Sequence, residues 1–528
     1  MAAFSVTQLP VPVVLVAFVT LFALHRVYFE LTTGARRRRM IKESGCEPIV
    51  WYPHKGIMGN LLGADLIKDM IKSGKEGRMH EASRIRNFGD GKKSIRVRLA
   101  KNNVINTIEP ENIKTILATK FQDYSLGKRR RDVFLPVFGH GIFANDGAAW
   151  ERSRSLVRPN FTRQQVADLD MFEVHVSHLI DSIPRDGSTV DLQDLFFGLT
   201  MDSATEFLFG KSTNTLAPGL ETKSASEFVK AFVFVTEGEF IPNDRLCMAA
   251  AEGITASANN FRSGGLAEWI PDAKWRKSVK IMHQFADEIV QQAIDELKTG
   301  KQNPDSRYVF LHALLNQTQD PYALRSELLN ILLAGRDTTA GLLSNTWHVL
   351  SKRPDVWAKL RAEVEELGGE RPDYSTIKDM KYLKWTLNES LRVMPVVPGN
   401  SREAIRDTIL PLGGGVDGKA PALIKKGEVV AYSPWSMHRR KDFYGEDAME
   451  FKPERWEHLR PGWEYLPFNG GPRICVGQQY ALMEASYATI RLIQTFPRIE
   501  SRDPGEWREW MTITLASGTG AKVALFEK

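Results

Sequence analysis

A cysteine standing just before a helical segment is the most chemically suggestive feature of this chain. It lies in the run Phe468-Asn469-Gly470-Gly471-Pro472-Arg473-Ile474-Cys475-Val476-Gly477, ahead of a helical pattern from Gln478 to Phe496. At a helix N-terminus a sulfur meets free backbone N–H groups and the positive end of the helix dipole, and both favour thiolate over thiol. Glycines on either side let the backbone approach something large and flat, and hydrogen bonds to sulfur would tune its electron donation. Cys475 therefore suits a metal-ligating thiolate, although an isolated cysteine is more often a buried structural residue. Two residues earlier, Arg473 is placed to pair with a carboxylate. Glu389 and Arg392, three apart on one helical face that stops at Pro395, form a second candidate pair. Asp337 and Thr338 lie near the middle of a long helix, where Thr338 either faces a site or simply bonds back to the carbonyl of residue 334. His438 is a lone histidine and reads as structural.

The element carrying Asp337 and Thr338 is well bounded. Asp320 is a good N-cap, Pro321 fits the first helical position, and nothing breaks the pattern before Pro354. Leu328, Ile331, Gly335, Thr338, Leu342 and Val349 recur along one face of it, as expected of a helix that crosses an interior. Strand-like runs are few and short: 95–99, 104–108, Ile424, 429–432 and the end of the chain. Gly413, Gly415 and Gly418 match a dinucleotide-loop pattern, but Pro411 before and Pro421 after them point to a glycine-rich hairpin. The expected fold is mainly α with a minor β-sheet region. With no interior repeat or linker-like tract, residues 61–528 read as one large catalytic domain.

Ahead of it, residues 9–24 are the most apolar stretch, followed by Arg36, Arg37, Arg38 and Arg39. That order reads as a transmembrane signal anchor over residues 1–30, with the arginines and the body on the cytosolic side. A cleaved signal is a poorer reading, since no basic segment precedes the apolar run. Residues 31–60, basic and then rich in Pro and Gly, read as a linker. Three cysteines (Cys46, Cys247, Cys475) make no disulfide framework and no zinc spacing, which implies a reducing compartment. The 70 basic residues exceed the 64 acidic by only 6, too mild and dispersed for nucleic acid.

The run FNGGPRICVG resembles the haem-binding signature of the cytochrome P450 superfamily. Three more segments match in the order expected of that family: AGRDTT at 334–339 resembles its oxygen-activating helix, ESLR at 389–392 its Glu-x-x-Arg helix, and PERW at 453–456 the element that completes a charge cluster. The matches extend from about Trp150 to Gly477. The resemblance implies the P450 fold and a haem b (iron protoporphyrin IX) whose iron is ligated by Cys475. It implies Phe468 and Gly477 around the ring, and Trp150, Arg154, Arg402 and Arg473 toward its propionates. Asp337 and Thr338 would deliver protons to bound dioxygen, while Glu389, Arg392 and Arg455 would hold the cysteine loop without doing chemistry. Ala334, Val396 and Val397 would border the substrate.

A P450 of this kind implies a monooxygenase fed by a separate NADPH-dependent flavoprotein reductase, here on the endoplasmic reticulum membrane with a single-pass anchor. AGRDTTA, LPLGGGVDGKAP and GPRICVGQQYALMEASY further resemble the fungal alkane and fatty-acid hydroxylases, with Gly470 and Val476 as departures. The expected substrate is then a long-chain fatty acid or n-alkane attacked at or near the chain end. Tailoring of an alkyl-bearing polyketide is the alternative. A haem-thiolate isomerase or dehydratase would not need the Asp337-Thr338 pair, and a membrane haem carrier or sensor would not need an open distal side.

Overall fold

The computed structural model describes residues 11–100, 102–161, 168–237, 273–300 and 309–527; Leu9 and Cys247 lie outside them. Helices dominate, and the segment expected to cross the interior is a helix over Pro321–Leu350 whose Asp320 carboxylate accepts the Tyr322 N–H at 3.0 Å. It is buried almost all the way round, as a helix flanked by packed layers must be. Leu192–Phe209 packs along it, and the Thr200 hydroxyl donates to the Arg336 carbonyl at 2.9 Å. Gln478–Thr495 and Lys381–Val393 close its other flanks. One large apolar cluster joins all four helices, with Trp347, Phe196, Leu328 and Ile490 essentially excluded from solvent.

The minor β region centres on a five-stranded sheet. Ser94–Leu99 and Asn102–Thr107 form a hairpin, and the second strand runs parallel to Val429–Tyr432. Asn400–Ala404 pairs antiparallel with Val429–Tyr432, placing Arg402 opposite Val430, and Tyr124–Ser125 forms the far edge. The glycine-rich segment is indeed a hairpin, Thr408–Gly414 with Ala420–Ile424, closed by the Gly413 N–H on the Gly418 carbonyl at 2.7 Å.

The N-terminal region departs from the expected linker. Val11–Phe29 is a helix with its described side chains largely exposed, and it continues through one π-helical turn, Glu30–Gly34, into Ala35–Ser44. Arginine is a good helix former, and Glu30 pairs with both Arg26 and Arg38 at 2.7 Å, so the basic run propagates the helix instead of ending it. Gly45, at φ 63°, stops it. Arg36 and Arg37 converge on Asp407, whose side chain is 2% exposed, and these hydrogen bonds hold its carboxyl far below the usual range. The Pro/Gly connector that follows is stitched to the sheet by bridges from Ile49 to Gly414 and from Trp51 to Arg96.

Candidate active site

Glu389 and Arg392 face one another on Lys381–Val393 with no exposed surface on either side chain. Arg392 donates to both carboxylate oxygens, at 2.7 and 2.9 Å, and to the carbonyls of His438, Ala448 and Glu450. Glu389 also accepts from Arg455 Nε at 3.2 Å, Trp456 Nε1 at 3.0 Å and the Lys452 N–H at 2.8 Å. The three expected members of the cluster are thus together, and every proton of the pair finds an acceptor. His438 adds a connection that sequence spacing could not reveal. Its Nε2 accepts the Leu466 N–H at 2.9 Å, two residues before Phe468, and burial together with the charges of Arg392 and Arg439 pushes its pKa down to about 3.

From Leu466 the chain enters the cysteine loop. Asn469 has φ 62° and Gly471 φ 67°; a Cβ at Gly471 would lie 1.9 Å from the Leu117 carbonyl oxygen, so glycine is required there. The Cys475 N–H donates to the Phe468 carbonyl at 3.0 Å, and the Gly477 N–H is turned to the cysteine sulfur. Cys475 is accessible yet hemmed in by protein, because its surface is the wall of a cavity and not the outside of the molecule. Burial raises its thiol pKa, while the Gly477 N–H and the Arg154 charge pull it down. A cation bound at the sulfur would offset that burial and favour the thiolate.

The cavity extends from Cys475 to the crossing helix. Trp150, Arg154, Arg402, Phe468, Arg473 and Gly477 all line it, as do Ala334, Thr338, Val396 and Val397. The arginines differ in what they already hold. Arg473 pairs with Asp146 at 2.8 Å and stacks 4.4 Å from the Trp150 ring, while Arg154 donates to the Ile474 carbonyl at 3.0 Å and braces the loop. Arg402 is 3% exposed, has no carboxylate partner among the described residues, and leaves its Nε without an acceptor. Arg130 matches it: its Nε is also unpartnered, one bond reaches Asn400 at 3.3 Å, and burial beside Arg402 lowers its pKa to about 10. Two guanidiniums with unpartnered Nε atoms, lining one cavity with a cysteine and apolar side chains, fit a flat dianionic ring bearing a metal. Arg130 was not singled out in the sequence because it stands in the basic run 128–131, which resembles a solvated face.

Thr338 borders the cavity, and its hydroxyl donates to the Ala334 carbonyl at 2.7 Å, so the back-bond and the site position coexist. Asp337 is not part of that wall. It is 1% exposed and turned toward Arg336, whose guanidinium also contacts Glu237. Its Oδ2 has no partner among the described residues; burial pushes its pKa up to about 6 against the pull of Arg336.

A model of the cytochrome P450 family matches residues 69–515. The chain belongs to the cytochrome P450 family. It is 41% identical to the cytochrome P450 monooxygenase himC of Aspergillus japonicus, over 96% of this chain and 88% of that one. Cytochrome P450 52A1 of Candida tropicalis is 44% identical over 82% and 80% of the two chains, and the monooxygenase fsdH of Fusarium heterosporum 42% over 93% and 84%. This P450 is accordingly a haem-iron monooxygenase that takes dioxygen, an organic substrate and electrons from a redox partner.

Proposed function

We propose that this P450 hydroxylates long unbranched acyl or alkyl chains at or near their far end, with Cys475 as the thiolate ligand of a haem b. The observation that carries the reading is the makeup of the cavity. Among the described residues, the four charged side chains lining it are all arginines, and the rest of the wall is built from residues such as Phe134, Ile142, Phe143, Phe207, Ile331 and Val396. Such a wall favours hydrocarbon over polar ligands, and the likeness of the AGRDTTA, GGGVDG and CVGQQYALMEASY segments to chain-end hydroxylases narrows the class.

Thiolate-ligated haem, when bound, supplies the oxygen-cleaving chemistry. The protein's part is placement. Arg130 and Arg402 offer unpaired guanidinium donors to the ring carboxylates, with Arg473 and Trp150 beside them. Thr338 holds a hydroxyl at the cavity face of the crossing helix, and Asp337, one residue away and poised near neutrality, is a proton reservoir behind it. Terminal C–H bonds are stronger than internal ones, so end selectivity must come from walls that admit the chain end first; Ala334, Val396 and Val397 are positioned for that task.

Electrons are proposed to come from an NADPH-dependent flavoprotein reductase. The anchor is proposed to cross the endoplasmic reticulum membrane once, leaving residues 61–528 as a cytosolic catalytic domain. Protection of that body from protease in intact microsomes would rule the orientation out. The substrate is tested by supplying fatty acids, n-alkanes and aromatic polyketides with reductase and mapping the hydroxyl by fragmentation. Chain-end oxidation of the unbranched compounds is expected; exclusive turnover of a compact aromatic compound would overturn the reading.

A further inference from the structure

Two of the apolar wall residues, Ile142 and Phe143, come from the loop 139–146, a turn closed on itself by the Ala144 and Asn145 N–H groups on the Gly141 carbonyl, both at 3.1 Å, but in no helix or strand. What fixes it is a row of polar side chains on the crossing helix. Asn330 is 0% exposed; its Oδ1 accepts the Phe143 N–H at 3.2 Å and its Nδ2 donates to the Phe138 carbonyl at 2.8 Å and the Ser326 carbonyl at 2.7 Å. Glu327, also buried, is turned to Ser153 and the Ile142 N–H. The fit is close. A Cβ on Gly141 would lie 2.2 Å from Asn330 Nδ2, and one on Gly139, at φ 67°, would lie 2.2 Å from Ser326 Oγ. At its other end the loop is tied to the cysteine loop, for Arg473 donates to the Asn145 carbonyl at 3.0 Å and to Asp146 at 2.8 Å.

We propose that Asn330 is a positioning residue that sets substrate specificity by clamping the loop 139–146 against the crossing helix, fixing Ile142 and Phe143 as the cavity wall. An amide side chain suits this task because it sets one acceptor oxygen beside an NH2 group with two donors, and the site uses all three. Removing Asn330 would leave the Phe143 N–H and the Phe138 carbonyl without partners in a buried place, so the loop would move to find others. The far end of the loop would stay tied through Arg473 to Asn145 and Asp146, and the Cys475 N–H would keep its bond to the Phe468 carbonyl.

The test uses the full-length holoenzyme and two ligands with the same nitrogen donor, imidazole and N-dodecylimidazole. In Asn330→Ala, and in Gly141→Ala, which wedges the loop away while leaving Asn330 in place, N-dodecylimidazole should bind about tenfold more weakly. Imidazole affinity and the reduced carbon-monoxide band should be unchanged. Thr205→Ala, a buried hydroxyl deletion outside the loop, serves as a control for general loosening. Unchanged N-dodecylimidazole binding in both loop variants, or the same selective weakening in Thr205→Ala, would overturn the proposal. Hydrogen exchange on the wild type needs no variant: the Phe143 amide should be protected, and free exchange there would equally refute the clamp. Only the product shift rests on the proposed function, since dodecanoic acid should be oxidised over more positions in the variants. A wild-type enzyme that ignores dodecanoic acid would sink the substrate reading, and the imidazole pair would still decide the clamp.

Discussion

The Arg392 guanidinium and the Glu389 carboxylate meet in a bidentate pair that is wholly sealed from water, at 2.7 and 2.9 Å. Through Arg455, Trp456 and the Lys452 N–H the same carboxylate gathers the segment leading to the cysteine loop, and through the His438 carbonyl Arg392 reaches the other side of it. Replacing Glu389 by alanine leaves the buried Arg392 guanidinium without its anion and Arg455 with Asp447 alone, at 2.8 Å. A loss of about 3 to 5 kcal/mol is expected, typical of a broken buried pair. Thermal unfolding together with haem content of the purified protein checks this; normal melting and full haem in Glu389→Ala would contradict it.

His438 makes stability depend on pH. Its pKa falls from 6.5 to about 3 in the folded chain, first through burial and then through Arg392 and Arg439. Below 6.5 the unfolded chain binds a proton at this site that the folded chain cannot take until about 3, so folding stability declines as pH drops through that window. Between about pH 7 and about pH 5 the single group accounts for about 2 kcal/mol. His438→Asn keeps an acceptor for the Leu466 N–H and should lose that slope. Urea unfolding at the two pH values measures it, and an unchanged slope in the variant would show that His438 is protonated in the folded state.

Much of this was legible in the sequence where one residue type has one physical use. Asp320 and Pro321 set the start of the crossing helix, and Pro411 and Pro421 removed a false nucleotide loop, because cap and proline constraints are local. The charge cluster and the cavity-facing residues came from the resemblance to the P450 family, and the structure brings them together. What escaped are contacts that close over long sequence separations. Arg36 and Arg37 read as a topological signal until Asp407, some 370 residues on, was seen to hold them. Arg130 resembled a surface charge, and Asn330 an ordinary helix residue, since nothing in the sequence announces which loop will settle on it. Asp337 was expected to share proton delivery with Thr338; adjacent residues on a helix point about 100° apart, so it lies behind the cavity wall, turned to Arg336.

Thr338→Ala is expected to retain haem and substrate, because the hydroxyl's one bond is a local back-bond to Ala334. Without that hydroxyl at the cavity face, proton delivery from the crossing helix would be impaired, and reducing equivalents would be lost as peroxide in place of product. Product formed per NADPH consumed should fall roughly tenfold or more, within the range of a lost proton-transfer group. Parallel assays of NADPH, peroxide and product give the ratio; unchanged coupling would remove Thr338 from proton delivery.

The Cys475 sulfur is proposed to bind the haem iron as a thiolate. The reduced carbon-monoxide spectrum reports which protein group would hold the iron, since thiolate donation shifts the band strongly to the red and imidazole donation does not. The wild-type protein should show the red-shifted band, and Cys475→His should lose it along with monooxygenation even where haem is retained. A red-shifted band that persists in Cys475→His would mean that another group ligates the iron.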